Sequence, residues 1–230
     1  MTLRYSTGLR NHLAAGGSFK NGFQSGRIEI YTGTQPATPE TAASGTLLVT
    51  VTNSNGAHTP AVRATGSIAL ATGASGSIDT CTLAGVSLIA AAVPFNTSLA
   101  QTAADLATAI NDHETYLHVS ASVLSGSTVT LTAPRNAGAT FNGLVVASTV
   151  TTLTKTDTNM GSVVAGVTAV NGLRFGSEVS GTIDKLAAQV WEGTNVAGGT
   201  AGWYRFYGAV ADTGIADATG LTLLPEGNRQ

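Results

Sequence analysis

A mainly β protein is the fold class this sequence predicts, and three observations carry the prediction. Only 10% of the 230 residues are Asp, Glu, Lys or Arg, while 43% are hydrophobic and 28 are glycine. Runs such as Thr-Leu-Leu-Val-Thr-Val-Thr (46–52) alternate polar and apolar side chains, the two-residue period of a half-buried strand. Turns rich in glycine, serine and asparagine punctuate those runs. The expected architecture is a β-sandwich-like host domain carrying an inserted small β/α domain of order β-β-β-α-β-β-β.

The elements follow in chain order. Leu3, Leu9 and Leu13 give a short helical signal, with Ser6 or Thr7 as cap and the Gly16-Gly17 pair as terminator near Ala15. Residues 27–31 alternate, placing Ile28 and Ile30 on one face of a strand. Pro36 and Pro39 mark a loop over 34–39, residues 46–52 form the next strand, and Asn53-Ser54-Asn55-Gly56 turns the chain. Strands are expected at 66–70, 78–83 and 86–89. The strongest helix then starts at Ser98 with Gln101 in capping-box spacing, carries Leu99, Ala103, Leu106 and Ile110 on one stripe, and ends near His113. Residues 117–124 and 128–133 read as a hairpin through Ser125-Gly126-Ser127, and 144–153 as a further strand. Residues 182–191 read as a strand or a short helix, with strand favoured, and 202–208 as an aromatic strand. The polar residues 226–230 are expected to be poorly ordered.

Neither flank holds enough strands to bury a sheet alone. Residues 1–62 and 157–230 are therefore expected to form one discontinuous host domain, with 63–156 inserted into one of its loops.

The composition also excludes function classes. Cys81 is the single cysteine, so no intrachain disulfide forms; between Thr80 and Thr82 it reads as a small buried hydrophobe. The net charge of −2 and scattered basic residues argue against nucleic acid as a partner. The N-terminus lacks a secretory pattern, and the longest apolar run, Leu88 to Val93, is far too short for a membrane span. His113 and His118, flanked by Asp112 and Glu114, lack metal-ligand spacing and read as polar residues at a helix end. Asp105, Asp112, Asp157, Asp184, Asp212 and Asp217 are isolated, and neither Gly16-Gly17 nor Gly198-Gly199 has phosphate-loop spacing. The expectation is a non-enzyme with no catalytic residue, no cofactor and no metal.

Two groups stand out as candidate subunit contacts. Arg4, Arg10, Lys20 and Arg27 concentrate basic charge in the first 27 residues, suited to an acidic partner. In 202–208 the alternation puts Tyr204 and Phe206 on one face and Trp203, Arg205 and Tyr207 on the other. The first pair is expected in the core and the second set at a neighbouring subunit.

Leu3-Arg4-Tyr5-Ser6-Thr7-Gly8-Leu9-Arg10-Asn11, Gly17-Ser18-Phe19-Lys20 and residues 28–37 (Ile-Glu-Ile-Tyr-Thr-Gly-Thr-Gln-Pro-Ala) resemble the opening of a family of tailed-bacteriophage virion structural proteins. Asn171-Gly172-Leu173-Arg174-Phe175-Gly176 and residues 202–207 are similar to the latter half of that family. The middle third resembles small β-rich modules of phage tail and capsid proteins. These motifs cover roughly half of the chain, which stops sooner after the aromatic block than the resemblance would lead one to expect. The resemblance implies a structural component of the virion, assembled with copies of itself and other virion proteins. Within that class, an uncharged, insertion-tolerant exterior and the basic first 27 residues, suited to clamping a more acidic partner, favour a capsid decoration (cement) protein bound to the major capsid protein. A tail or collar component, as tube, adaptor or ring subunit, is the alternative, and a receptor- or carbohydrate-binding module a third.

Overall fold

The computed structural model describes residues 4–14, 17–113, 115–211 and, as backbone, 222–224. Strand accounts for 40% and helix for 15%, which places the chain in the mainly β class. In order, the elements are β1 (Arg4–Tyr5), α1 (Thr7–Ala14), α2 (Phe19–Phe23), β2 (Arg27–Thr32), β3 (Leu47–Asn53), β4 (Thr65–Thr72), β5 (Ser77–Leu83), β6 (Val86–Ser87) and β7 (Val93–Pro94). They continue with α3 (Leu99–Asp112), β8 (Ser120–Val123), β9 (Thr128–Thr132), a 3-10 turn (Gly138–Phe141), β10 (Val146–Thr151), β11 (Thr154–Thr158), β12 (Phe175–Val179), β13 (Thr182–Lys185), β14 (Trp191–Glu192), β15 (Ala201–Tyr207) and β16 (Thr222–Leu224). No helix among the described residues is long and apolar enough to cross a membrane. The expectation for 226–230 lies outside the described residues.

Two compact units result: Met1–Ala61 with Thr168–Gln230, and Val62–Val167. The expected second boundary, at 156/157, is corrected to 167/168. The cause is backbone pairing: β11 runs antiparallel to β4 through Thr158↔Ser67, and Val164 and Val167 go on to bridge Thr65 and Val62. Val62 and Val167 exchange both backbone hydrogen bonds at 2.9 Å, so the ends of this unit are adjacent.

The unit Val62–Val167 has two sheets, β10-β5-β6 with β7 beside β5, and β11-β4-β9-β8. Alternation along β4 buries Ile68 and Leu70, and along β9 Val129 and Leu131; Ile78, Cys81 and Leu83 of β5 join them in one core. A bulge explains how Ile78 and Cys81, three apart, both point inward. Pairing with β10 skips Asp79 between Thr149↔Thr80 and Val150↔Ile78, which resets the alternation. Burial pushes the Cys81 thiol up to about 12, which leaves it inert. Helix α3 lays Ala103, Leu106, Ala107 and Ile110 into the same core.

Its cap is half of the box that the spacing predicts. Ser98 Oγ accepts from Gln101 N at 3.1 Å, but the Gln101 amide donates to Asp105 Oδ1 at 2.9 Å instead of reaching back to Ser98. Side-chain amides tie the periphery. Asn111 accepts from Ala121 N (2.8 Å) and donates to Ala121 O (2.9 Å), and Asn142 holds Gly166 in the same two-bond manner at 2.7 and 2.9 Å. Each mimics a strand pairing that the backbone does not make.

The host unit is built on one antiparallel six-stranded sheet, ordered β1-β16-β15-β2-β3-β14. Its second layer consists of helices and the β12–β13 hairpin. Leu9 of α1, Phe23 of α2, Leu173 and Phe175 pack on Phe206, with Ile28, Val51, Ile183 and Trp191 around them. Phe23 stacks on Phe206 with ring centroids 4.6 Å apart. Gly26 permits this closure, since a Cβ there would lie 1.9 Å from Tyr207 O. Helix α2 escapes the sequence pattern because it has only five residues and contains Gly22; Ser18 caps it, accepting from Asn21 N at 3.1 Å. The single strand expected over 182–191 divides into β13 and β14. Between them Gln189, buried, accepts from Arg174 N (2.6 Å) and the Trp191 indole (3.1 Å) and donates to Gly172 O (3.0 Å).

Deleting Val62–Val167 and joining Ala61 to Thr168 through a short Gly-Ser linker is expected to leave a host that unfolds cooperatively, and Val62–Val167 expressed alone should do the same. Thermal melts followed by circular dichroism check this. A host that loses its sheet on the deletion contradicts the division.

Candidate functional site

The polar chemistry of the host converges on the sheet face opposite its phenylalanine core. Strands β2 and β15 pair in register as Tyr207↔Arg27, Arg205↔Glu29 and Trp203↔Tyr31, and Glu29 pairs on its other side with Thr50 of β3. Because side chains alternate, all seven share one face. They form a ladder of aromatic rings and guanidinium groups. Tyr31 stacks on Trp203 at 4.6 Å and 13°, Arg205 Cζ lies 5.4 Å from the Trp203 ring and 5.7 Å from the Tyr207 ring, and Arg27 Cζ sits 4.2 Å over Tyr207. Such contacts draw on the negative face of the ring and strengthen when water is excluded.

Glu29 is the carboxylate of this ladder. Its Oε1 accepts from Arg27 Nε at 2.6 Å, and its Oε2 accepts from the Tyr31 hydroxyl. Burial, then Glu29, drives the Tyr31 hydroxyl well above the ordinary phenol range; the same two causes raise Tyr207. Both rings stay neutral at any working pH.

The loop between β2 and β3, residues 33–46, straps over one end of this face. Ala43 and Leu47 pack on Tyr31 and Trp203, and Gln35, Pro36 and Pro39 are buried. Arg205 Nη2 donates to Thr41 O at 2.8 Å. The strap also holds the N-terminal segment. Arg4 donates to Pro36 O, and Glu40 accepts from Thr7 N (2.8 Å) and the Thr7 hydroxyl (2.9 Å) at the start of α1. These bonds, the amide of Thr7 first, hold the Glu40 carboxyl below its ordinary range.

These positions correct the expected interface. Trp203, Arg205 and Tyr207 are 2%, 0% and 4% exposed, so they lie inside the subunit and are not a surface for a neighbour. Phe206 is buried as expected, and Tyr204 only half-buried. The alternation places the residues correctly on two faces, but the strap makes both faces interior. Arg27 is half-buried in the ladder and Arg4 is held by the strap. Lys20 bridges Glu178 at 3.3 Å, and Arg10, exposed, donates to the Thr7 hydroxyl at 2.9 Å. The first 27 residues thus do not form a single basic surface. Glu29 and Tyr31 are ladder members that the sequence reading misses.

Beyond the strap, the same face continues into a cavity of about 340 Å³. Arg27, Thr50 and Thr52 form its floor, and Asn55, Gly56, Ala57, His58, Thr194 and Val196 its walls. Asn55 clasps Thr194, accepting from its N at 3.0 Å and donating to its hydroxyl at 2.6 Å. His58 Nε2 lies 3.1 Å from Ser25 O. Burial lowers the His58 pKa, and Arg27 lowers it further against the opposing pull of the Ser25 carbonyl. The neutral ring therefore donates from Nε2 and offers Nδ1 as an acceptor.

Among the described residues, no three His, Cys, Asp or Glu side chains approach closely enough to hold a metal ion. Asp79, Asp105 and Asp157 are each engaged locally. Asp157 of β11 accepts from Ser148 N (2.7 Å) and the Ser148 hydroxyl (2.8 Å) of β10, and pairs with Lys155. Compared with known protein families, with curated proteins and with solved structures, the chain finds no match in any of the three.

Removing one partner of a buried ion pair costs about 3–5 kcal/mol. Glu29→Gln is accordingly expected to lower the host's melting temperature strongly and leave the Val62–Val167 unit unaffected. Arg205→Met, which removes a buried charge lacking a carboxylate of its own, should cost less. Calorimetry of the two variants checks the order.

Proposed function

We propose that this chain is a structural subunit of a tailed-bacteriophage particle, attached as a decoration protein to the capsid lattice. One observation supports the reading above others. The sequence blocks that carry the resemblance lie at opposite ends of the chain yet fold into one unit: residues 28–32 pair with residues 201–206, and Leu173 bridges Gly26. This supports reading the host as a self-contained unit of the resembled kind, with Val62–Val167 as a guest with its own core.

The mechanism is adhesion. Many copies each contribute a modest contact to a repeating lattice, and multivalency turns weak contacts into a stable shell. The buried ladder removes Trp203, Arg205 and Tyr207 from that role, so attachment shifts to the N-terminal helices. Leu13 and Phe19 of these helices and Tyr5 of the preceding β1 are large apolar residues with exposures of 40%, 36% and 40%, and Arg10 and Lys20 accompany them. Aromatic and arginine side chains of this kind supply most of the energy of protein contacts.

Purified protein mixed with expanded capsids is expected to co-sediment at a fixed stoichiometry, and Leu13→Glu, which puts a negative charge in place of an exposed apolar side chain, should abolish attachment without unfolding the host. Spontaneous assembly into rings or tubes without capsids would instead favour a tail or collar subunit, and specific glycan binding a receptor-binding module.

A further inference from the structure

We infer that the cavity over Arg27 is a carboxylate-binding site, a property that goes beyond attachment to a particle and does not depend on it. The case begins with charge on the polar face. Two guanidinium groups, Arg27 and Arg205, face one carboxylate, Glu29, and both oxygens of Glu29 are engaged by Arg27 and the Tyr31 hydroxyl. Arg205 is wholly buried, and its Nε and Nη1, like the indole Nε1 of Trp203, have no hydrogen-bond partner among the described residues. A buried cation without a counter-charge is costly, and the ladder is one negative charge short.

The strap seals the Trp203 end of this face, whereas the Arg27 end opens into the cavity. Arg27 reaches Glu29 through Nε alone among its described bonds, which leaves the two Nη groups of its planar fork to meet a carboxylate end-on. Thr50 and Thr194 bring hydroxyl donors to the same cavity, and Val196 and Ala57 an apolar wall for the carbon stem. A monoanion matches the missing charge, where a doubly charged phosphate would overshoot it. Once Arg27 is engaged from the cavity, its hold on Glu29 relaxes, and Glu29 stands directly opposite Arg205 in the register. The bound acid thereby completes both guanidinium groups.

The carboxylate has two possible sources, a free small acid or an acidic side chain of a protein, and two probes separate them. Sodium acetate and a blocked glutamate (N-acetyl-glutamate amide) are titrated into the whole protein up to about 0.1 M, with sodium chloride holding ionic strength constant so that screening does not vary. The readouts are the NMR signals of the Arg27 Nε–H and the Trp203 indole N–H, and the titration of His58. His58 is faced by Arg27, Glu29 and the Ser25 carbonyl. Saturable shifts with either probe are expected, together with a rise in the His58 pKa, since a bound anion and a protonated imidazole favour each other reciprocally. Tighter binding of blocked glutamate identifies a protein side chain as the source; equal or tighter binding of acetate identifies free acids.

Arg27→Gln should weaken binding by at least about tenfold, the loss of one charge-assisted pair. Should that variant unfold, Thr50→Val removes a floor hydroxyl while keeping the ladder, and should weaken binding with the fold intact. The inference is overturned if neither probe gives a saturable shift, if chloride alone reproduces it, if glucose binds in place of the acids, or if folded Arg27→Gln binds unchanged. None of these readouts involves capsids, so failure here is distinguishable from failure of particle attachment.

Discussion

The pairing of β2 with β15 is the constraint on which the host depends. It brings residues 27–32 against residues 201–207 and is the central pairing of the six-stranded sheet, joining β1-β16-β15 to β2-β3-β14. Two unlike faces are created by that one registration. Phe206 and Ile28 point into an aromatic core roofed by α1, α2 and the β12–β13 hairpin, while Trp203, Arg205 and Tyr207 point into the ladder under the strap. Loop closure over so many residues is slow but grows only weakly in entropic cost with length, which is why a complete unit can occupy the interval. The adjacency of Val62 and Val167 makes the interruption a local matter for the host.

A chain with so few charges must satisfy its backbone by other means, and it does so with neutral amides and hydroxyls. Asn111, Asn142 and Gln189 each make two hydrogen bonds to backbone that lacks a strand partner on that side, and Asn55 holds Thr194 by one bond to its backbone and one to its hydroxyl. An amide can donate and accept at once, so one side chain replaces a strand partner. A carboxylate or ammonium in those places could do only half of this and would carry a desolvation cost. Two groups of charges are nonetheless drawn together: Glu29, Arg27 and Arg205 in the ladder, and Lys155 with Asp157 on β11.

Much of the fold is legible in the sequence because it rests on local periodicity. The strands at 27–32, 47–53, 77–83 and 128–132 and the helix at 99–112 lie where alternation and the capped apolar stripe put them. What is not legible is what only a partner defines. Two-residue strands such as β7 and β14 have no pattern of their own, and the bulge at Asp79 is a property of the β5–β10 pair. The ladder shows the same limit. Alternation sorts Trp203, Arg205 and Tyr207 from Tyr204 and Phe206, but it cannot say that residues 33–46 return to cover the charged side. A signal was nonetheless present: Arg27-x-Glu29-x-Tyr31 and Trp203-x-Arg205-x-Tyr207 are matching alternations of charge and ring in a charge-poor chain. Two such strands complete each other when paired.

Native-state hydrogen exchange, resolved by residue, tests that pairing most directly. If β2 and β15 close the host as one sheet, their amides open together at the host's global unfolding free energy, since strands that belong to one cooperative unit share its protection. Exchange of the β15 amides at a distinctly lower free energy, with β2 still protected, would contradict it.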